Sequence, residues 1–417
     1  MRIFKFGGAS IKDADSVRNI YNLLQVTGHS DVLLVVSAMG KTTNAIEEII
    51  DNYFEKSAGL NASIQQVKNY HNQILLDLFE NDQYPVFAAL KKLFDEMELF
   101  LENNKSPNYN YVYDQLIGYG ELLSTTILTY FFSHKQIDTN FLDVRHYIKT
   151  NSSFRDAEVD WEMTQKNISK IKVKATLNIT QGFLGSDDNN FTTSLGREGS
   201  DYTAAIFGYC LNADSVTVWK DVPGVMNADP RFFENTVLLD YISYREAIEL
   251  AFYGATVIHP KTLQPLQRKE IPLYVKSFLN PTLPGTKVGK GNDLQPLVPC
   301  FIVKRNQLLI SLSSLNFSFI MEENISEIFA LLHKYKLKVH LIQNSAISFS
   351  VCCDDTYNNF ENLKTILSSK FSVSYNRNVS LYTIRHFDDT AAKSITENKQ
   401  VLLTQTSRET VQIVAVT

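Results

Sequence analysis

Short apolar runs alternate with longer stretches of helical periodicity through roughly the first 290 residues, and this alternation limits the possible folds more than any other feature. RIFKF (2–6) precedes a helical pattern near residues 16–25, and DVLLVVS (31–37) precedes NAIEEIIDNYF (44–54). The rhythm returns in NFLDVR (140–145), ATLNITQGFLG (175–185), SVTVWKDV (215–222) and IPLYVKSF (271–278). Because such alternation is typical of βα units, we predict an α/β fold with a mainly parallel central sheet flanked by helices.

Two stretches of the N-terminal part depart from this rhythm. Apolar residues recur at helical spacing from 63 to 103, which predicts two successive helices inserted into the α/β domain. NPTLPGTKVGKGND (280–293) is rich in proline and glycine, so we predict a linker there. The first domain is therefore expected to span residues 1–290.

The C-terminal part, residues 300–417, follows a different order. FIVKR (301–305) comes first, and residues 306–378 then give the strand and helix order βαββαβ, which is ferredoxin-like. From residue 379 the pattern predicts a strand, a short helix and two strands, which is most of a second, incomplete module. If FIVKR supplies the opening strand of this second module, the first module is inserted into it.

Composition argues against several classes of partner. A chain of 417 residues exceeds the usual size of a single hydrophobic core, so two or three domains are expected. With 44% hydrophobic residues, 20% charged residues and a net charge of -5, the chain has no basic surplus for nucleic acid. No apolar run approaches the ~20 residues that span a bilayer, and no secretory leader is expected. The four cysteines form no CxxC pair, so we expect a cytoplasmic protein.

The first strand ends in KFGGAS (5–10), a segment suited to bind phosphate. Gly7 and Gly8 let backbone N–H groups approach phosphate oxygens, and Ser10 or Asp13 can cap the helix that follows. An ordinary βα turn would have the same glycines. KFGGAS alone therefore leaves both interpretations open.

A second loop, SAMGKTTN (37–44), resembles the end of a Walker motif but lacks its first glycine. The P-loop pattern requires glycine five residues before Gly40, and that position is Val35. We reject a Walker site on this ground. The loop still places hydroxyl groups at the carboxyl end of a strand, where α/β sheets bind ligands.

A third segment, SLGREGSDYTAAI (194–206), combines an arginine with an aspartate at the start of a helix of small residues. Ser200 or Asp201 could serve only as an N-cap. The guanidinium of Arg197 can, however, hold a carboxylate in bidentate fashion, and Asp201 can orient a lysine ammonium near phosphate.

These segments occur in an order that resembles the aspartate kinase family. KFGGAS, LGREGSD (195–201), KDVPG (220–224), NADPR (227–231) and YGATVIHPKTL (253–263) carry the resemblance over residues 1–290. SAMGKTTN, GYGELLS (118–124), FLDVR (141–145) and TQGF (180–183) add to it. The C-terminal region resembles the ACT modules that these kinases carry for feedback control.

The resemblance implies a reaction and its participants. It implies ATP-dependent phosphorylation of the L-aspartate β-carboxylate to 4-phospho-L-aspartate, the first step toward lysine, threonine, methionine and diaminopimelate. ATP and Mg²⁺ would be the cofactors, with the metal carried on ATP oxygens, because the sequence shows no compact carboxylate cluster for a metal site. A homodimer through the ACT region is also implied.

The resemblance also implies residue roles. Lys5 would neutralise the transferred phosphoryl group, Asp201 would hold Lys5, and Arg197 would bind the substrate α-carboxylate. The aspartate site would consist of Ser37, Thr43, Asn44, Glu121, Phe183, Arg197 and Ser200. The ATP site would consist of Lys5, Gly7, Gly8, Ser10, Lys220, Asp221, Asp229, Arg231 and Lys261, with Trp219 beside them.

The chain departs from the family pattern at several positions. Ala9 replaces a usual threonine, Glu198 replaces a frequent glycine, and Thr256 stands where many members have a lysine that reaches the nucleotide. Lys220 or Lys261 could supply that missing positive charge. In the ACT region, His340 stands where an aspartate that binds lysine is usual, so we expect a protein insensitive to lysine or responsive to another effector.

Two other functions compete with aspartate phosphorylation. One is an amino-acid kinase with a different acceptor, such as glutamate. The other is an inactive amino-acid sensor that uses only the ACT region, which the presence of Lys5, Arg197 and Asp201 disfavours.

Overall fold

The structure is a computed structural model, and it describes residues 1–171, 177–255, 258–291, 294–316 and 318–416. Its helices are α1 (Ala14–Thr27), α2 (Thr42–Phe54), α3 (Leu60–Leu78), α4 (Pro85–Asn103), α5 (Tyr109–Ile117), α6 (Tyr119–His134), α7 (Trp161–Ile168), α8 (Gly199–Leu211), α9 (Tyr244–Tyr253), α10 (Pro260–Arg268), α11 (Glu322–Lys334), α12 (Phe360–Leu367) and α13 (Asp389–Thr396). Short 3₁₀ helices cover Gly8–Ile11 and Val144–His146.

The strands alternate with these helices in the N-terminal part and dominate the C-terminal part. They are β1 (Arg2–Phe6), β2 (Val32–Val36), β3 (Thr139–Leu142), β4 (Leu177–Gln181), β5 (Leu184–Ser186), β6 (Thr192–Ser194), β7 (Ser215–Lys220), β8 (Tyr241–Ser243), β9 (Leu273–Ser277), β10 (Thr286–Gly289), β11 (Leu294–Gln295), β12 (Cys300–Ser314), β13 (Lys338–Asn344), β14 (Ser348–Asp354), β15 (Phe371–Arg385), β16 (Val401–Thr406) and β17 (Thr410–Val416).

The chain folds into two compact units. The first comprises Met1–Val225, Leu238–Ile248 and Ile258–Asp293, and the second comprises Met226–Val237, Glu249–Val257 and Leu294–Thr417. The assignment of a kinase domain to residues 1–290 and of an ACT region to 300–417, with one module at 306–378, stays a prediction.

A mainly parallel sheet forms the centre of the first unit, as the alternation predicts. Its strand order within this unit is β8-β10-β9-β7-β1-β2-β4-β3. β1 pairs in parallel with β2 and β7, and β4 pairs in parallel with β2 and β3. β2 is buried along its whole length, which explains why its sequence is a continuous run of valine and leucine rather than an alternating one.

The two helices predicted between residues 63 and 103 are present as α3 and α4, but the predicted linker is partly wrong. Thr286–Gly289 forms β10, which pairs in parallel with β8 and antiparallel with β9. Two prolines and a glycine precede this four-residue strand, and a further glycine follows it within the segment. Their abundance concealed it in the sequence.

A six-stranded antiparallel sheet forms the second unit, in the order β13-β14-β12-β15-β17-β16. Two pairs of successive predicted strands are in fact single strands. FIVKR and the first strand predicted within 306–378, QLLISLSS (307–314), form β12; the last strand predicted there, FSVSYN (371–376), and the strand predicted from residue 379, VSLYTIR (379–385), form β15. The pairing of β12 with β15 is shifted around Gln307, beside Asn306, which has a φ of 56°. This bulge makes each long strand look like two in the sequence.

The two modules of the second unit share these long strands. The orders β13-β14-β12-β15 and β16-β17-β15-β12 are equivalent arrangements of one module. FIVKR therefore occupies the place of the fourth strand in the second module, not that of its opening strand. The first module lies between FIVKR and VSLYTIR in the sequence, so it is inserted into the second.

Candidate active site

The ammonium of Lys5 and the carboxylate of Asp201 form an ion pair at the centre of the parallel sheet. Lys5 lies on β1 near its carboxyl end, and Asp201 lies in the first turn of α8. Lys5 Nζ is 2.7 Å from Asp201 Oδ1, and the two side chains are only 12% and 5% exposed. Because neither side chain is free to swing into solvent, the ammonium has a defined position, as the sequence predicts.

The glycine loop after β1 packs directly against the loop after β2. A Cβ atom on Gly8 would lie 2.7 Å from the Gly40 carbonyl oxygen and 2.8 Å from the Ala38 carbonyl oxygen, so only glycine fits. The Gly40 N–H donates to the Gly8 carbonyl at 3.1 Å. The side chain of Asp13, not Ser10, caps α1 by accepting from the Ser16 N–H at 2.8 Å.

A cavity of about 500 Å³ opens beside the Lys5–Asp201 pair. The predicted site residues that line it are Lys5, Ser37, Thr43, Glu121, Phe183, Arg197, Ser200, Asp201 and Lys220. Tyr113, Arg155, Gly196, Glu198 and Gly199 complete the wall. The cavity therefore combines the residues proposed for phosphate with most of those proposed for the amino acid.

Glu121 is a second buried acidic group in this wall, besides Asp201. It lies in the first turn of α6 and is 3% exposed. Its Oε1 accepts from the Ala38 N–H at 3.2 Å, and its Oε2 has no hydrogen-bond partner among the described residues. Burial raises the pKa of Glu121 to about 8, although the Ala38 N–H and nearby Lys5 act in the opposite direction.

Hydrogen bonds from serine hydroxyl groups connect the segment after β2 with α6 and α8. Ser37 follows β2, and its Oγ donates to Ser200 Oγ at 3.0 Å. Ser124 Oγ donates to the Ser37 carbonyl at 2.7 Å. A Cβ atom on Gly182 would lie 2.5 Å from the Ser200 side chain, so TQGF must carry glycine there for α8 to approach β4.

The backbone conformation of Glu198 explains why glycine is frequent at this position in the family. Its φ is 56°, in the left-handed region that favours glycine. Burial raises the pKa of its carboxyl group, and neighbouring Asp201 raises it further. Lys220 and Arg197 act in the opposite direction, so Glu198 lies among the charges of the cavity.

Several predicted ATP-site residues do not line the cavity. Asp221 and Asn44, the latter predicted for aspartate, are exposed. Gly7 lies close by, since a Cβ atom on it would be 3.4 Å from Lys5 Nζ. Ser10 is buried and donates to the Trp219 carbonyl at 3.5 Å. The Trp219 ring is 2% exposed and stacks on Phe6 in the core, so its face is not available to a nucleotide base.

The remaining predicted cations have local partners. Lys261 Nζ is 2.5 Å from Asp156 Oδ1, on an exposed part of the first unit. Arg231 pairs with Asp229 at 2.6 Å within the second unit. Thr256 lies outside the described residues. Between Lys220 and Lys261, only Lys220 lines the cavity.

Tyr113 and Arg155 also line the cavity, although neither is predicted from the sequence. Arg155 has a φ of 76°, and its guanidinium lies 4.5 Å from the centre of the Tyr113 ring. Neither residue belongs to a segment with a recognisable spacing. The sequence signal that could have found Arg155 is weak: an arginine in a short polar segment between two predicted elements.

The described residues hold no group of three or more histidine, cysteine, aspartate or glutamate side chains that could hold a metal ion. Among the described helices, none has the length and apolar character needed to cross a membrane. The four cysteines are all buried, and none of them forms a disulfide.

Comparison with known proteins agrees with this geometry. Residues 1–277 match the family described as the amino acid kinase family. The chain is 32% identical over 366 residues to lysine-sensitive aspartokinase 3 of Escherichia coli (strain K12). The aligned region covers 85% of this chain and 78% of that protein. It is 28% identical to the chloroplastic bifunctional aspartokinase/homoserine dehydrogenase of Daucus carota over 84% of its own length and 39% of that relative. The chain thus spans about two fifths of that bifunctional protein.

Solved structures of E. coli aspartokinase III have the same fold. The complex with lysine and aspartate gives a TM-score of 0.82 at 27% identity and covers 99% of this chain and 95% of that one. The complex with aspartate and ADP gives a TM-score of 0.81 at 27% identity, with 100% and 96% covered. The chain therefore belongs to the amino acid kinase family and, within that family, to the aspartokinases.

Proposed function

We propose that this protein transfers the γ-phosphoryl group of ATP to the β-carboxylate of L-aspartate and so forms 4-phospho-L-aspartate, the first step toward lysine, threonine and methionine. One observation carries the proposal: the cavity places the buried Lys5–Asp201 ion pair and the buried carboxyl group of Glu121 in one wall. This pair of substrates requires a cation beside the transferred phosphoryl group and a carboxyl group that binds the α-ammonium of aspartate.

Lys5 neutralises the charge that develops on the transferred phosphoryl group. The β-carboxylate of aspartate has a pKa of ~4, so it is already ionised and needs no general base. Catalysis then consists of positioning and charge neutralisation. Asp201 fixes Lys5 Nζ at 2.7 Å. Lys220 also lines the cavity and is the proposed second cation for the phosphates.

Glu121, Arg197 and the hydroxyl groups orient the amino acid. The α-ammonium of aspartate supplies the hydrogen-bond donor that Glu121 Oε2 lacks. Arg197 offers its fork to the α-carboxylate. Ser37, Thr43, Phe183 and Ser200 surround the remainder of the acceptor.

ATP and Mg²⁺ complete the proposed reaction. The glycine loop at Gly7 and Gly8 lets backbone groups approach the phosphates, and the Gly8 position admits no side chain. Bound Mg²⁺ would ride on ATP oxygens and offset their charge, because its coordination normally includes substrate phosphates with few protein carboxylates. Asp221 remains a proposed contact of the rest of the nucleotide.

A coupled assay of ADP release tests the proposed reaction against its two competitors. We expect ADP release that depends on L-aspartate and gives no signal without an acceptor. Release with L-glutamate but not with L-aspartate would favour a different amino-acid kinase. No release with either, from folded protein in the presence of ATP and Mg²⁺, would favour an inactive sensor.

The second unit is proposed to pair two copies of the chain in the cytoplasm. β13 and β16 are the edge strands of its sheet, and an edge strand offers unpaired backbone groups to a partner. Buried cysteines that form no disulfide suit a reducing compartment. Sedimentation at several protein concentrations tests the homodimer, and a monomer at micromolar concentration would contradict it.

The region around His340 supports insensitivity to lysine. His340 stands at the position where the family usually has an acidic residue. Its Nδ1 is 2.8 Å from Lys304 Nζ. Burial, reinforced by nearby Lys304, lowers the pKa of His340 to about 4, so the ring is neutral at pH 7 and offers no negative charge to a lysine side chain. We expect unchanged activity at millimolar L-lysine. Strong inhibition at micromolar L-lysine would contradict this expectation.

A further inference from the structure

Arg155 lies in the wall of the cavity and has a backbone conformation that residues other than glycine rarely adopt. Its φ of 76° lies in the left-handed region that favours glycine. Residues held in such conformations cluster at binding and catalytic sites, where the surrounding structure enforces them. The conformation of Arg155 therefore calls for a functional explanation.

Buried Asp114 on α5 holds Arg155 in this conformation. Asp114 Oδ2 accepts from the Arg155 backbone N–H at 3.0 Å and from the Ser194 N–H at 2.8 Å. Its Oδ1 accepts from Ser194 Oγ at 2.7 Å. Asp114 is fully buried, so the Arg155 backbone is fixed to α5 and β6.

The side chain of Arg155 lies on an aromatic surface of the same helix. Its guanidinium is 4.5 Å from the centre of the Tyr113 ring and 5.6 Å from that of Tyr109. The Tyr113 hydroxyl in turn donates to Glu47 Oε1 at 2.8 Å. Stacking on a ring face leaves the N–H groups at the edge of a guanidinium free to bind a ligand.

Arg155 makes no ion pair with a carboxylate among the described residues, in contrast to Lys5 and Lys261. The Arg155 guanidinium contacts α5, whereas the charge of Lys220 lowers the pKa of the Glu198 carboxyl group, which lies beside Asp201. The guanidinium thus belongs with the amino-acid binding residues of the cavity and not with the phosphate-binding ones. A planar fork of N–H donors matches a carboxylate in two parallel hydrogen bonds.

We propose that Arg155 is a specificity-determining residue that binds the α-carboxylate of the amino-acid acceptor together with Arg197. The inference rests on the proposed function, because the α-carboxylate is the acidic group of aspartate that does not react. The β-carboxylate must approach the phosphoryl group near Lys5. Arg155 therefore selects acceptors that carry a second, non-reacting carboxylate.

Arg155→Gly separates a binding role from a structural one. We expect KM for L-aspartate to rise about tenfold or more, with kcat within about twofold and KM for ATP unchanged. The thermal midpoint of the ligand-free protein should not fall, since glycine adopts a φ of 76° without strain. Arg155→Lys keeps the charge but not the fork, so its KM should be intermediate.

The α-amide of L-aspartate identifies the group that Arg155 contacts. This analogue keeps the ammonium and the β-carboxylate but lacks the α-carboxylate charge. We expect wild-type protein to prefer L-aspartate strongly in kcat/KM. Arg155→Gly should reduce that preference about tenfold, because the arginine no longer distinguishes the two acceptors.

Gln136→Gly is the matched control for backbone strain. Gln136 has a φ of 60° and is exposed after α6, away from the cavity. Its replacement should raise the thermal midpoint slightly and leave both KM values unchanged.

Two results would overturn the inference: an unchanged preference for L-aspartate over its α-amide in Arg155→Gly, or a lowered thermal midpoint with an unchanged KM for L-aspartate. The second result would show a structural role for the arginine. Failure of the proposed function is distinguishable, because wild-type protein would then release no ADP with L-aspartate at all.

Discussion

On the phosphate side of the cavity the protein supplies both members of an ion pair, whereas on the acceptor side it presents charged groups that form no ion pair with any described residue. The phosphate side consists of Lys5, Asp201 and Lys220, and Lys5 Nζ is held at 2.7 Å from Asp201. On the acceptor side, consisting of Glu121, Arg155 and Arg197, Glu121 Oε2 is buried without a partner among the described residues. The difference indicates that the groups that neutralise phosphoryl charge are in place before the substrates bind. The groups that recognise the amino acid find their partners only when the substrate binds.

This arrangement assigns different kinetic roles to the two sides. A preorganised cation lowers the barrier because it needs no reorganisation when charge develops. Groups that are satisfied only by the substrate contribute mainly to binding and selectivity, because a wrong ligand leaves them unpaired. Changes on the phosphate side should therefore alter kcat, and changes on the acceptor side should alter KM for aspartate.

Lys5→Ala is expected to have the largest effect. Loss of the ammonium should lower kcat by about 10³-fold or more, since it removes the charge that stabilises the transition state, with aspartate binding largely retained. Single-turnover assays and calorimetric titration with L-aspartate measure the two quantities. A variant with near wild-type kcat would refute the role assigned to Lys5.

Arg197→Ala comes next and should affect the other side. Loss of its charge-assisted hydrogen bonds should raise KM for L-aspartate by about 10²-fold, with a smaller change in kcat. Initial-rate kinetics over a range of aspartate concentrations measure this change. A fall in kcat at an unchanged KM would contradict the division between the two sides.

Glu121→Gln should weaken aspartate binding and stabilise the ligand-free protein. The folded-state pKa of Glu121 is raised to about 8 from 4.5 by burial, so the folded state binds more protons than the unfolded state between these values. Stability of the wild type therefore falls as pH rises from about 4.5 through about 8, and the glutamine variant lacks this loss. Thermal unfolding at pH 6 and pH 9 measures it.

The comparison that would disprove this assignment uses the same two proteins. Glu121→Gln should raise KM for L-aspartate about tenfold and should gain stability relative to wild type most clearly at pH 9. An equal difference in stability at both pH values would show that Glu121 does not titrate in this range.

Lys220→Ala and Lys261→Ala should show the smallest effects and distinguish the two candidate cations. Lys220 lines the cavity, so its loss should lower kcat/KM for ATP about tenfold. Lys261 is paired with Asp156 at the surface, where such pairs contribute about 0–1 kcal/mol. Initial rates at varied ATP should therefore be unchanged in Lys261→Ala, and the reverse pattern would identify Lys261 as the second cation.

The phosphate side could be predicted from the sequence because each of its parts lies in a compact segment. The Lys5–Asp201 pair needs a strand that ends in KFGG and a helix that begins with GSD, and both patterns are local. The α/β alternation places the carboxyl ends of β1 and β2 next to each other. The sequence offers Ser10 or Asp13 as the N-cap of the first helix, and the structure shows that it is Asp13.

Arg155 could not be predicted, because its position depends on a residue far away in the chain. Asp114 on α5 fixes the Arg155 backbone through a hydrogen bond across 41 positions. Similarly, the continuity of β12 depends on a bulge at Asn306 that interrupts the strand pattern. Short elements and conformations imposed by tertiary contacts leave little signal in a single sequence.

Proton release on aspartate binding tests most directly whether the substrate completes the acceptor side. Free Glu121, with its pKa raised to about 8, is largely protonated at pH 7. An α-ammonium bound beside Oε2 should lower that pKa and release up to about one proton. Calorimetric titration with L-aspartate at pH 7, in buffers of different ionisation enthalpy, counts the protons. We predict release from the wild type and none from Glu121→Gln; equal release from both, or none from the wild type, would contradict the account.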